Sequence, residues 1–209
     1  MISFEDGFKQ LPLIAILRGI RPDEVLASVG SLVDAGFRLI EIPLNSPDAF
    51  TSINLAADTF GDVAMIGAGT VLSAEDVQRT LDAKGQLIVA PNFDPAVGAA
   101  AVSSGAIWAP GVVTPTEAFS ALAAGAHALK IFPAEMVLPA GIKAMRAVLP
   151  TSARVLPVGG ITPESMQAYV EAGANGFGLG SALYRAGDSA EKTFENASAF
   201  AKVAKQLFD

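Results

Sequence analysis

Short apolar runs alternate along the chain with longer segments whose apolar positions return every three or four residues, in a unit of about 20 to 25 residues. The runs Leu13 to Leu17, Leu39 to Pro43, Ala64 to Ala68, Gln86 to Ala90, Ala106 to Ala109, Ala128 to Phe132, Arg154 to Val158 and Gly176 to Leu179 predict eight strands. Between them stand helix-start signals: Pro22-Asp23-Glu24, Ser46-Pro47-Asp48, Ser73 to Asp76, Asp94-Pro95, Thr114 to Glu117, Pro139-Ala140 and Thr162-Pro163-Glu164. A repeated phrase, Asp34-Ala35-Gly36, Ala123-Ala124-Gly125 and Glu171-Ala172-Gly173, ends helices with a glycine able to take a left-handed C-cap. Ile2 to Gln10 reads as a short amphipathic leading helix. Strands and helices alternating with short joints and no linker predict an α/β fold, a (β/α)8 TIM barrel forming one domain over residues 1–209. An open doubly wound sheet is the structural alternative.

In such a barrel the C-terminal ends of the strands carry the chemistry, and few polar residues fall there. Lys130 sits in Ala128-Leu129-Lys130-Ile131-Phe132. Strand alternation gives Leu129 and Ile131 to the helix-facing side, which turns the amine the other way. An ordinary lysine is almost wholly protonated at neutral pH. Burial or a neighbouring cation would free its amine to attack a carbonyl and form an imine. The competing reading is a lysine that snorkels to water.

Glu41 is the only acid inside a predicted strand, and Ile40 and Ile42 claim its outer face, so its carboxyl also points inward. Strands 2 and 6 share parity, so Glu41 and Lys130 can face one another. A purely structural ion pair with Arg18 or Lys130 is the alternative. Gly159-Gly160 before a helix start, and Gly180-Ser181 in the next loop, match the pattern in which loops after strands 7 and 8 offer backbone N–H groups to a phosphate.

Composition narrows the classes. With 14 Lys and Arg against 21 Asp and Glu, a formal charge of −7 and no basic cluster, a nucleic-acid surface is not expected. The absence of cysteine excludes thiolate nucleophiles and disulfides, and a single histidine, His127, excludes a multi-histidine metal site. No apolar run is long enough for a bilayer, so a soluble, cytoplasmic protein without membrane partners is expected.

Taken in order, Leu13 to Gly19, Glu41 to Pro47, Gly67 to Leu72, Leu129 to Pro133 and Pro157 to Gly160 resemble the KDPG/KHG aldolase family, most closely its phosphogalactonate branch. The resemblance spans essentially the whole chain. It implies a class I aldolase, without metal or cofactor, that splits a phosphorylated 2-keto-3-deoxy sugar acid into pyruvate and glyceraldehyde 3-phosphate, and it implies a homotrimer. On that basis Lys130 forms the Schiff base and Glu41 moves protons through water. Arg18 and Thr70 hold the pyruvate-derived carboxylate, Pro91 and Phe132 shape the cavity, and Gly159, Gly160, Gly180 and Ser181 hold the phosphate. The chain departs from the phosphogluconate branch in having Asn45 for an arginine and Val158 for a threonine. Arg18 would then replace the missing arginine, and Val158 would bear on which C4 epimer is preferred. Two other readings compete: a catalytically silent barrel that binds a phosphorylated ligand, and a phosphate-binding isomerase with its acid and base on other strand ends.

Overall fold

The computed structural model describes residues 2–208, so the outermost positions of the expected domain, Met1 and Asp209, lie outside the described residues. Helix α1 (Phe4–Gln10) leads into β1 (Leu13–Ile16), α2 (Pro22–Asp34), β2 (Leu39–Pro43), α3 (Ala49–Phe60), β3 (Met65–Gly69) and α4 (Ala74–Asp82). The alternation continues with β4 (Leu87–Val89), α5 (Pro95–Ser103), β5 (Ile107–Ala109), β6 (Gly111–Val112), α6 (Pro115–Ala123) and β7 (Leu129–Ile131). It ends with α7 (Ala134–Arg146), β8 (Val155–Pro157), α8 (Pro163–Glu171), β9 (Phe177–Leu179) and α9 (Ala190–Phe208).

All strand pairs are parallel, in a six-stranded sheet ordered β5-β4-β3-β2-β1-β9 and a three-stranded sheet ordered β6-β7-β8. The expected fifth strand is present as β5, and beyond Pro110 follows a short strand, β6, that was not expected. Proline has no N–H for the ladder, so β5 pairs with β4, β6 pairs with β7, and the Pro110 carbonyl accepts from the Lys130 amide at 3.0 Å. Backbone contacts cross both gaps between the sheets. His127 N donates to Trp108 O at 2.9 Å on one side, while Asn175 N donates to Val155 O at 2.9 Å and Val158 bridges to Gly178 on the other.

The strand pattern divides the core into two layers. Leu13, Ala15, Ile40, Ile42, Ile66, Ile88, Leu129 and Ile131 pack outward against the helices. Ile14, Leu39, Met65, Leu87, Val89, Ala109, Ala128 and Leu156 form a separate inner cluster, joined by Phe4 from α1 with Phe8 packed beside it. The leading helix therefore plugs the N-terminal end of the curled sheet. At that same end the helix-to-strand joints use the expected glycines: φ is +101° at Gly36, +91° at Gly125 and +103° at Gly173. After α2, Phe37 N bonds Leu32 O at 2.9 Å and Gly36 N bonds Val33 O at 3.0 Å, which satisfies carbonyls the helix leaves open.

Two helix starts differ from expectation. Helix α3 begins only at Ala49, after Asp48 in a left-handed conformation (φ 43°) with no side-chain cap bond. Ser46 does other work, its Oγ accepting from Gly19 N at 2.8 Å and tying the β1 and β2 loops together. Helix α7 gains a turn before the expected start at Pro139. The chain is helical from Ala134, breaks at Leu138 (φ 52°, ψ 168°), and resumes at the proline. A residue preceding proline is disfavoured in the α region, so the break falls there.

Candidate active site

Lys130 and Glu41 meet inside the sheet, 6% and 1% exposed, with Nζ 3.8 Å from Oε1. That is longer than a hydrogen bond, and Glu41 Oε2 has no partner among the described residues. The register explains the meeting. Lys130 stands opposite Gly111 and Leu156, and Glu41 opposite Ile16 and Gly67, each with apolar neighbours on its own strand facing the helices. Room for the carboxyl comes from Gly69, where an added Cβ would fall 1.2 Å from Glu41 Oε2.

Burial pushes the Lys130 amine below its ordinary range; the Glu41 carboxylate opposes this and the Arg18 charge adds to it. Burial likewise pushes Glu41 up, against the pull of Lys130 and Arg18. Both side chains are thus driven toward their neutral forms. One proton can pass between them without changing the charge of the pair. The Lys130 Nζ also lies 5.0 Å from the centre of the Phe132 ring.

Above the pair opens a hollow of ≈ 720 Å³ lined by Lys130, Phe132 and Val158, by Arg18, and by both glycine loops, Gly159-Gly160 and Gly180-Ser181. Beneath it an enclosed gap of ≈ 10 Å³ is bordered by Glu41, Lys130 and Val158, space for about one water. A hollow of ≈ 800 Å³ also exists at the opposite end, around Phe4 and Met65, away from this pair.

Most of the expected residues therefore converge, and two do not. Thr70, at φ 58°, lines a neighbouring hollow of ≈ 460 Å³ together with Asn45. Arg18 links the two spaces by donating from Nη1 to Asn45 Oδ1 at 3.0 Å. Pro91 lines neither hollow; its carbonyl oxygen lies 2.0 Å from where a Cβ on Gly111 would stand. His127 is structural, its Nδ1 accepting from Trp108 N at 3.1 Å, and burial, with the Arg154 charge, lowers its pKa.

The hollow also holds residues that sequence reasoning missed: Glu135, Thr162, Tyr184 and Arg185. Arg185 Nε donates to Ser181 O at 3.1 Å, which places a guanidinium beside the second glycine loop. Its spacing of four residues after Ser181 was the available signal. Glu135 was hidden because the helix signal at Pro139 drew the start past it.

A neutral-leaning amine beside a carboxyl, at the C-terminal ends of a curled parallel sheet, is the layout of an amine-dependent lyase. Residues 4–198 match the family model described as KDPG and KHG aldolase. A 2-dehydro-3-deoxy-6-phosphogalactonate aldolase of Escherichia coli (strain K12) is 53% identical over 197 residues, 94% of this chain and 96% of that one. A probable aldolase of the same name from Rhizobium meliloti (strain 1021) is 50% identical over 179 residues, 86% of this chain and 84% of that one. The solved structure described as native KDPGal superposes with a TM-score of 0.93 at 53% identity, covering 95% of this chain and 96% of that one. The chain belongs to the KDPG/KHG aldolase family, carbon–carbon lyases that work through a Schiff base.

Proposed function

We propose that the protein cleaves 2-dehydro-3-deoxy-6-phosphogalactonate to pyruvate and glyceraldehyde 3-phosphate, with Lys130 as the imine-forming residue. The observation that carries this reading is the buried Lys130–Glu41 pair opening into a hollow with two glycine loops at its far side.

The neutral amine attacks the C2 carbonyl and gives a carbinolamine. Glu41, through a water in the gap it shares with Lys130, donates the proton with which the hydroxyl leaves as water. The resulting iminium is an electron sink. As the C4 hydroxyl loses its proton to the same relay, the C3–C4 bonding pair moves onto the iminium carbon framework. The aldehyde departs and an enamine remains. Protonation at C3 and attack of water at C2 then release pyruvate and restore the amine. The imine does the work that a Lewis acid would do in a metal-dependent aldolase.

Arg18, which lines the hollow beside Lys130, holds the substrate carboxylate, and Thr70 is given the same role by the family resemblance. Phe132 walls the reacting carbons and Pro91 shapes the cavity through the backbone beside Gly111. Gly159, Gly160, Gly180 and Ser181 take the phosphate, close to the N-terminus of α8, whose dipole favours an anion. Several further features belong to this reading. The two sheets close into one eight-stranded barrel, β5 and β6 serving as a single strand interrupted at Pro110. The barrel forms a single domain. Exposed apolar side chains such as Leu72, Phe119 and Met136 support association, as a homotrimer. Among the described residues no helix is long and apolar enough to cross a membrane. Charged phosphate esters do not cross bilayers unaided, which puts the work in the cytoplasm.

The test is reduction with borohydride in the presence of pyruvate, followed by peptide mass spectrometry. An adduct on Lys130 is expected, with turnover insensitive to chelators. An adduct on Lys143 alone, none at all, or loss of activity in EDTA restored by a divalent ion would overturn the assignment.

The choice between C4 epimers falls to Val158, which is buried in the wall beside Lys130 and meets Gly178 across the bridge. Valine offers no partner to a C4 hydroxyl, and an apolar wall discriminates less than a polar one. A preference for the galactonate epimer with measurable use of the gluconate epimer follows. Val158→Thr is expected to raise relative use of the gluconate epimer by about fivefold, the worth of roughly one hydrogen bond. Competition kinetics with both epimers checks this, and a wild-type preference for gluconate would remove the role given to Val158.

A further inference from the structure

Glu135 stands in the first turn of α7 and reaches across the loop between β8 and α8. A Cβ added at Gly159 would come within 2.3 Å of its Oε2, and one at Gly160 within 3.1 Å of its Cγ. Both glycines have positive φ, +109° and +63°. A side chain at either position would push the Glu135 side chain aside from the place it takes over the loop. The Glu135 side chain is exposed, makes no hydrogen bond or ion pair with the described residues, and lines the open side of the same hollow as Lys130, Phe132 and Val158.

A carboxylate accepts hydrogen bonds and repels anions, so Glu135 is the wrong group for a phosphate and the right one for a hydroxyl. On the aldolase reading, on which this inference rests, the substrate runs from the imine at Lys130 past Val158 at C4 to the phosphate held by the glycine loops. C5 then lies at the level of Gly159, under Glu135. We infer that Glu135 is a positioning and specificity residue that accepts a hydrogen bond from the C5 hydroxyl, the hydroxyl carried by the released aldehyde. Both C4 epimers share that group, so this role is independent of Val158.

The experiment runs the reaction in the condensation direction with saturating pyruvate and compares two acceptors, D-glyceraldehyde 3-phosphate and 3-oxopropyl phosphate, which lacks the hydroxyl. The wild type is expected to favour the hydroxylated acceptor in kcat/KM by roughly tenfold or more, the range for a hydrogen bond to a charged group. In Glu135→Gln and Glu135→Ala that ratio is expected to fall to about twofold or less, with the loss confined to the hydroxylated acceptor. Circular dichroism and thermal melting establish that each variant is folded. A ratio unchanged within about twofold in the folded variants, or better use of both acceptors once the charge is gone, would overturn the inference. Failure of the aldolase reading is told apart by the wild type alone, which would then give neither a borohydride-trapped pyruvate adduct nor condensation.

Discussion

Replacing Lys130 with methionine is expected to lower kcat by a factor on the order of 10⁶, the scale seen when a covalent nucleophile is removed. Methionine keeps most of the apolar stem of the side chain, one atom shorter, but it has no amine to add to a carbonyl. A coupled assay of aldehyde release measures the loss, and turnover within about tenfold of wild type would place the covalent step on another residue. The change also leaves the Glu41 carboxyl buried without its counter-charge, and removing one partner of a buried pair destabilises. The melting temperature of the variant is therefore expected to fall at neutral pH, so the kinetic comparison is made at a temperature where circular dichroism shows the variant folded.

Glu41→Gln is expected to slow turnover by roughly 10² to 10⁴, the range for a positioned acid–base group. Its second effect has a definite sign. The Glu41 carboxylate holds the Lys130 pKa up against burial, so removing its charge lowers that pKa further. The free amine then persists to more acidic solution, and the acidic limb of borohydride trapping with pyruvate should move to lower pH even as turnover falls. A limb that stays in place, or unimpaired turnover, would reduce Glu41 to a structural partner.

How legible these features were in the sequence depended on whether strand alternation reached them. Lys130 and Glu41 could be placed because each is the one charge in an apolar strand, and the flanking isoleucines and leucine determine which way it points. Val158 and the glycine loops followed by continuing that alternation to the strand ends. Thr70 lies just past β3 at φ 58°, where alternation no longer applies, and it turns toward Asn45. The short strand after Pro110 escaped because Gly111-Val112 is too short to register as a run. Arg185 lies in the loop before α9, where no periodicity assigns a direction to a side chain, and Glu135 lies in the first turn of α7, ahead of the start that Pro139 signals.

The glycine-ended joints at Gly36, Gly125 and Gly173 all lie at the end of the sheet opposite Lys130, the end plugged by Phe4. Chain reversal is anchored at one pole and recognition is carried out at the other. The glycine joints and the substrate loops are thus separate sets of positions. A lineage can inherit the anchored pole unaltered and rewrite only the rim, changing what the protein consumes without learning to fold again.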